Sequence, residues 1–301
     1  MSEVLVLENV TKRFGNVTAV SDLSLRVPAG TIYGFLGPNG AGKTTTLRMI
    51  VGILWPDEGR IAVLGHARPE DVRPRVGYLP EERGLYKKMK VAELLAYLAR
   101  LKGLDGPTAR RRAQEWLERL GLAEWARKPC ETLSKGMSQK VQLAAALVHD
   151  PELVVLDEPF AGLDPVNRDL LRDVVLDLKR RGRTVLFSTH IMEQACLLYT
   201  SDAADDRGRK VLDGPLADVK AAGGRAIHLD YDGDGRVLRE LTGVRRVNDS
   251  GKYAEIFLDD GADPQAVLAQ LVGRVHIRRF EVRAPSLHEI FIRAVGGEIH
   301  A

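Results

Sequence analysis

The sequence predicts an α/β protein built on a parallel, doubly wound sheet and followed by a small α+β domain. Compact apolar runs at Thr31–Leu36, Leu153–Leu156 and Thr184–Ser188 alternate with segments of helical period. Strands interleaved with helices in this way call for a parallel sheet. The first of these runs ends in a glycine-rich turn that opens directly into a helix pattern. Beyond residue 223 the order becomes strand, helix, strand, strand, helix, strand, which is the pattern of a split βαβ unit.

Taken in order, Val4–Val10 and Ala19–Val27 read as strands about a turn at Phe14-Gly15-Asn16, predicting a small antiparallel β subdomain. A helix pattern runs from Lys43 to Val51 and stops at Gly52. Gly59–Leu64 and Arg75–Leu79 read as further strands. From Val91 to His149 the period is helical, defining a subdomain near 88–150. Its first helix places Leu94, Leu95, Leu98 and Leu101 on one face, Trp116, Leu117 and Leu120 mark a second, and Ser134–Val148 is a third. Arg168–Arg181 reads as a helix between the last two apolar strands. A composition shift at Ala221-Ala222-Gly223-Gly224 divides the chain into domains 1–222 and 223–301. The second domain reads as strand 226–231, helix 234–242, strands 244–249 and 253–258, helix 264–272 and strand 274–283. A last helix, 286–295, opens on a capping box of Ser286 and Glu289.

Composition narrows the function. The 44 basic residues against 41 acidic ones leave a net charge of +3, which gives no electrostatic footprint for a nucleic acid, and no such partner is expected. The two cysteines, Cys130 and Cys196, match no metal or redox spacing and fit a reduced, cytoplasmic compartment. No apolar run approaches the roughly 20 residues that cross a bilayer, and Leu143–Val148 is among the longest. The start, MSEVLVLENV, carries early acids and alternates like a strand, unlike a signal peptide. Any service to a membrane goes through a partner.

Chemistry enters at Gly37-Pro38-Asn39-Gly40-Ala41-Gly42-Lys43-Thr44, which fits G-x-x-x-x-G-K-[ST] between a strand and a helix. Glycines let backbone N–H groups converge on phosphate oxygens, and the helix N-terminus adds a favourable dipole. The core is therefore expected to be a P-loop NTPase sheet. Asn39, Gly40, Ala41, Gly42, Lys43, Thr44 and Thr45 are candidates for binding ATP, with Lys43 reaching the β- and γ-phosphates and Thr44 a ligand of Mg²⁺. Further on, Leu153-Val154-Val155-Leu156-Asp157-Glu158-Pro159 is an apolar strand ending in two acids. Successive strand residues face opposite ways, so the two acids can differ in role. Asp157 is expected to hold Mg²⁺ through water, and Glu158 to polarise the attacking water.

Between these sites, Leu133-Ser134-Lys135-Gly136-Met137-Ser138-Gln139 precedes a helix. With this segment the chain resembles the nucleotide-binding subunits of ABC transporters, and the resemblance covers nearly all of it. It implies that Ser134 and Gly136 contact the γ-phosphate of ATP held by a second copy of the subunit, so that hydrolysis needs a dimer. Lys135 stands where the family usually has a glycine, a variant of exporter-type members. The resemblance also implies that Phe14 stacks on adenine, that Asp164 in Ala161-Gly162-Leu163-Asp164 communicates across the dimer, and that His190 senses the γ-phosphate. With Lys43 and Glu158, His190 completes the expected catalytic set. A separate polytopic membrane permease is the implied partner, driven through the region 81–100 from the cytoplasmic face of the inner or plasma membrane. The competing readings are a soluble ABC ATPase uncoupled from a permease, and a nucleotide-binding subunit of negligible turnover.

Two departures from the family pattern matter. After Tyr78-Leu79-Pro80 the family usually has glutamine, whereas this chain has Glu81, still a possible ligand of Mg²⁺. The pattern Glu81-Glu82-Arg83-Gly84-Leu85-Tyr86 and the ending Pro285-Ser286-Leu287-His288-Glu289-Ile290-Phe291 resemble sodium-efflux-type exporter ATPases. The second departure is Cys196–Asp206, where the family has the end of a helix and then an apolar strand. Ser201-Asp202-Ala203-Ala204-Asp205-Asp206 has almost no β-forming residues. A buried strand of that composition would put carboxylates in or beside the core at large cost. The segment reads as foreign sequence carried in frame, or alternatively as a divergent surface loop.

Overall fold

The computed structural model describes residues 2–82, 84–191, 201–206, 209–215, 218–219, 226–259, 261–283, 287 and 290–291. The chain separates into two compact units, Met1–Asp213 and Gly214–Ala301. The linker sequence at 221–224, the capping box and most of the last helix lie outside the described residues, as does Cys196.

The first unit holds two sheets. β1 (Glu3–Phe14) lies between β2 (Val17–Pro28) and β4 (Glu58–Val63), antiparallel to both. The larger sheet contains β3 (Ile32–Leu36), β5 (Val76–Leu79), β6 (Leu153–Asp157), β7 (Thr184–Thr189), β8 (Ser201–Asp206) and β9 (Arg209–Pro215). Its order is β5-β6-β7-β3-β8-β9, with the pairs from β5 through β8 parallel. β3, β6 and β7 are buried at every residue, which is why they read as unbroken apolar runs rather than alternating ones.

Helix α1 (Lys43–Ile50) joins the two sheets. Its Leu47, Met49 and Ile50 share one core with Tyr33, Phe35, Leu153, Val155 and Leu186 of the parallel sheet and with Leu5, Leu7 and Val20 of the antiparallel one. Helices α2 (Val91–Leu101), α3 (Gly106–Arg119) and α4 (Lys135–Leu147) pack on one another, and α5 (Pro165–Arg180) packs on β7. α2 buries Val91, Leu94, Leu95 and Ala99, but Leu101 is 64% exposed. The helical period puts Leu101 on the apolar face, yet α2 carries it past the cover that protects its neighbours.

Ser201–Asp206 does form a strand. β8 lies between β3 and β9, pairing Tyr33 with Ser201 and Leu36 with Ala204. A surface loop is therefore excluded, and a sequence poor in β-formers occupies an interior place in the sheet.

In the second unit β10 (Ala226–Asp232), β11 (Val244–Asp249), β12 (Tyr253–Leu258) and β13 (His276–Arg283) form an antiparallel sheet of order β11-β12-β10-β13. This is the strand order of a split βαβ unit, with β12 inserted between β10 and β11. α6 (Pro264–Leu271) supplies Val267 and Leu271 to its core. The helix expected over 234–242 is instead a short 3-10 segment, Gly235–Glu240. Asp234 accepts the Arg236 N–H, and Asp249 and Tyr231 lie so close to Gly235 that a Cβ there would meet both.

Candidate functional site

The candidate residues gather at the carboxyl ends of β3, β6 and β7, where an open α/β sheet binds its ligands. Strand order explains the grouping. The turn after β3 and the acids ending β6 are far apart in sequence, and β7 lies between them in the sheet. Residues at the end of β7 therefore touch both.

The turn from Gly37 to Gly42 delivers the backbone into α1 without a side-chain cap, and no acidic residue lies in the first helical turn. The first N–H groups of α1 thus remain available to an anion. Gly42 is required twice over. Its φ of 89° is left-handed, and a Cβ there would come within 2.3 Å of the Ala19 carbonyl oxygen of β2. Lys43 is buried, and its Nζ donates to the carbonyl oxygens of Gly37 at 2.8 Å and Pro38 at 3.0 Å. The same Nζ stands 3.8 Å from Glu158 Oε1. The ammonium is therefore folded over the loop's own carbonyls, poised between them and the β6 acids.

Asp157 and Glu158 are both buried. Asp157 Oδ1 accepts hydrogen bonds from Thr44 Oγ1 at 3.1 Å and from Ser188 Oγ at 2.5 Å. The Ser188 hydroxyl also accepts the Glu158 N–H at 2.9 Å. Glu158 has φ of 47°, a left-handed conformation that non-glycine residues seldom adopt, and this bond helps to pin it. Its Oε1 accepts a hydrogen bond from His190 Nδ1 at 2.8 Å. Sequence reasoning placed Ser188 only as the end of a strand, because the two acids it bonds lie at the end of a different strand.

Asp157 Oδ2 and Glu158 Oε2 are buried without a hydrogen-bond partner among the described residues. Buried carboxylate oxygens are costly unless satisfied, and these two would suit a cation and a hydrogen-bond donor. Thr44 Oγ1 with the Asp157 carboxylate is a hard, all-oxygen set that suits Mg²⁺ completed by phosphate and water. Among the described residues no group of three or more His, Cys, Asp or Glu could hold a metal ion.

Other candidates lie apart from this cluster. Phe14 is half exposed, with Lys12 Nζ 5.6 Å from its ring centre, so one aromatic face is available for stacking. Glu81 is exposed beyond β5 and makes no hydrogen bond or ion pair to Thr44 or Asp157 among the described residues. Ser134 caps α4, accepting the Met137 N–H at 3.3 Å, and is exposed. Asp164 caps α5, and the Asn167 N–H that it accepts holds its carboxyl below the usual range. Asn39, Gly40, Ala41 and Thr45 lie along the turn and first helical turn that carry Lys43 and Thr44.

A glycine-rich strand-to-helix turn facing a strand-end acid pair defines a P-loop nucleotide hydrolase. The profile described as ABC transporter matches residues 20–161, and that described as "ATP-binding protein DrrA1-3-like, C-terminal domain" matches 214–295. The chain is 42% identical over 294 residues to the ABC transporter ATP-binding protein YhaQ of Bacillus subtilis, covering 97% of this chain and 99% of that one. It is 37% identical over 297 residues to the Nod factor export ATP-binding protein I of Burkholderia lata, covering 97% and 96%. Among solved structures, an ATP-binding subunit of an ABC transporter aligns with a TM-score of 0.68 at 31% identity, over 73% of this chain and 92% of that one. The chain belongs to the ATP-binding subunits of ABC transporters, and is an ATPase of that family.

Proposed function

We propose that the chain hydrolyses ATP as a dimer and thereby drives export through a separate polytopic permease. The observation that carries this reading is the convergence of Lys43, Thr44, Asp157, Glu158 and His190 at the carboxyl ends of β3, β6 and β7. Lys43 leaves the Gly37 and Pro38 carbonyls to meet the β- and γ-phosphates, while the first N–H groups of α1 bind the remaining phosphate oxygens. Thr44 and Asp157 would hold Mg²⁺, with Glu81 a further oxygen ligand, and the ion would supply positive charge against the phosphates. Glu158 orients the attacking water through the oxygen that has no protein partner, and His190 fixes the other oxygen. Phe14 stacks on the adenine.

Ser134 and Gly136, at the exposed start of α4, meet the γ-phosphate bound by the second copy, and Asp164 lies on the same contact surface. Closure on ATP and reopening after hydrolysis is then the mechanical output. Support for a permease contact comes from a cavity of about 280 Å³ lined by Leu79, Tyr86, Leu94, Leu98 and Leu101. Tyr86 and Leu101 are largely exposed there, an apolar surface suited to a partner. No described helix is long and apolar enough to cross a membrane; in this reading the membrane path lies in another chain, with this one on its cytoplasmic face. Export is favoured by relatives whose names refer to Nod factor export and to linearmycin resistance.

Purifying the chain from membranes and identifying a polytopic protein bound to it tests the coupling. ATPase activity of the complex, compared with its Glu158→Gln variant, tests the chemistry. Equal, negligible rates for both would overturn the hydrolase role.

A further inference from the structure

We propose that Asn167 is a positioning residue that registers the first turn of α4, bearing Ser134 and Gly136, against the turn leading from Glu158 to Asp164. This rests on the reading that the α4 turn meets ATP held by a second copy. Asn167 lies in the first turn of α5. Its Nδ2 donates to Asp164 Oδ2 at 2.5 Å and its backbone N–H to Asp164 Oδ1 at 2.9 Å. One carboxylate thus holds both the backbone and the side-chain amide of Asn167. The same Nδ2 lies 3.1 Å from the place a Cβ would take on Gly136, so the glycine lets α4 seat directly on the fixed amide.

Two other contacts accompany it. Gln139 Nε2 donates to the Ala161 carbonyl oxygen at 3.3 Å, and Lys135 Nζ lies 3.5 Å from the Cβ position of Gly162. These are ends of long side chains that can swing. Asn167 is short and doubly held, so it sets the register. The turn beneath it runs back to the acid site through Ala161 N–H to the Glu158 carbonyl at 3.2 Å and Leu163 N–H to the Phe160 carbonyl at 3.3 Å. Asn167 therefore ties the surface offered to the partner's nucleotide to the position of the chain's own Glu158. A small displacement of such a surface is costly, because orientation makes a large share of catalysis.

The test uses the full chain. Asn167→Ala is expected to lower kcat about tenfold while the KM for ATP and the affinity for a fluorescent ATP analogue stay within about twofold. In the Glu158→Gln background it should abolish the ATP-dependent dimer seen by light scattering. Asn167→Ser, which keeps a donor, should recover part of both. Unchanged kcat and dimer in Asn167→Ala would overturn the proposal. So would a fall in nucleotide affinity and thermal midpoint that accounts for the lost rate, since Asn167 would then only support α5. A Glu158→Gln parent that forms no dimer with ATP would instead overturn the dimer reading beneath it.

Discussion

Glu158 Oε1 accepts a hydrogen bond of 2.8 Å from His190 Nδ1, although the two residues follow strands β6 and β7, which the whole of helix α5 separates in the chain. Glu158 is buried and His190 partly exposed, so the imidazole closes the open side of the carboxylate. His190→Ala should therefore lower kcat by at least about tenfold, in the range of a lost catalytic hydrogen bond. ATP binding should change little. Steady-state rates with parallel nucleotide titrations measure both.

Glu158→Gln should abolish turnover and retain ATP. The amide keeps the shape of the side chain but cannot act as a base. A stable ATP-bound species isolated by gel filtration is the expected product; rapid ADP release would contradict the role.

Ser188 joins the two acids, donating to Asp157 and accepting the Glu158 N–H. Ser188→Ala leaves that buried N–H without its acceptor, at a cost of about 1–3 kcal/mol. A lower thermal midpoint and a weaker Mg²⁺ dependence of ATPase activity are expected. An unaltered midpoint would mean that another acceptor takes the N–H.

His149 supplies a pH dependence. Burial, with Lys102 nearby, pushes its pKa down to about 4, against a smaller opposing effect of its bond to the Val76 carbonyl. The folded state therefore favours neutral imidazole. Its contribution is present above the unfolded pKa near 6.5 and is lost as pH falls towards 4, amounting to about 3 kcal/mol at most. His149→Gln should flatten the decline of thermal midpoint between these pH values. Parallel curves for the two proteins would refute it.

β8 offers a composition test. Replacing Asp202, Ala204 and Asp206 with valine should raise the thermal midpoint, because β-branched residues suit an interior strand. A fresh reading of the gene across 196–206 decides the origin of the segment, and an identical sequence would sink its reading as foreign.

Much of the site was legible because its chemistry is local. Gly37–Thr44 and Leu153–Glu158 each hold a strand end and its functional residues within one short stretch, so spacing alone pointed to phosphate and acid sites. Ser188 was missed because its partners are set by the pairing of β7 with β6, which no local pattern encodes. The helix expected over 234–242 forms only as the 3-10 segment Gly235–Glu240, where a side chain at 235 would meet Tyr231 and Asp249 of other elements. Leu101 obeys the helical period and is nevertheless exposed, because period marks a face and not the extent of its cover.

The sequence by itself determined the alternation of strands and helices, the phosphate loop and the acid pair, since these follow from steric, hydrophobic and hydrogen-bonding demands within a few residues. Tertiary structure alone decided that β7 lies between β6 and β3, and hence that Ser188 bonds both acids and His190 reaches Glu158. It also decided that Lys43 rests on the carbonyls of Gly37 and Pro38 and that Asn167 Nδ2 lies close against Gly136. Those relations depend on long-range backbone pairing and close packing, which bring together residues that no short-range rule connects.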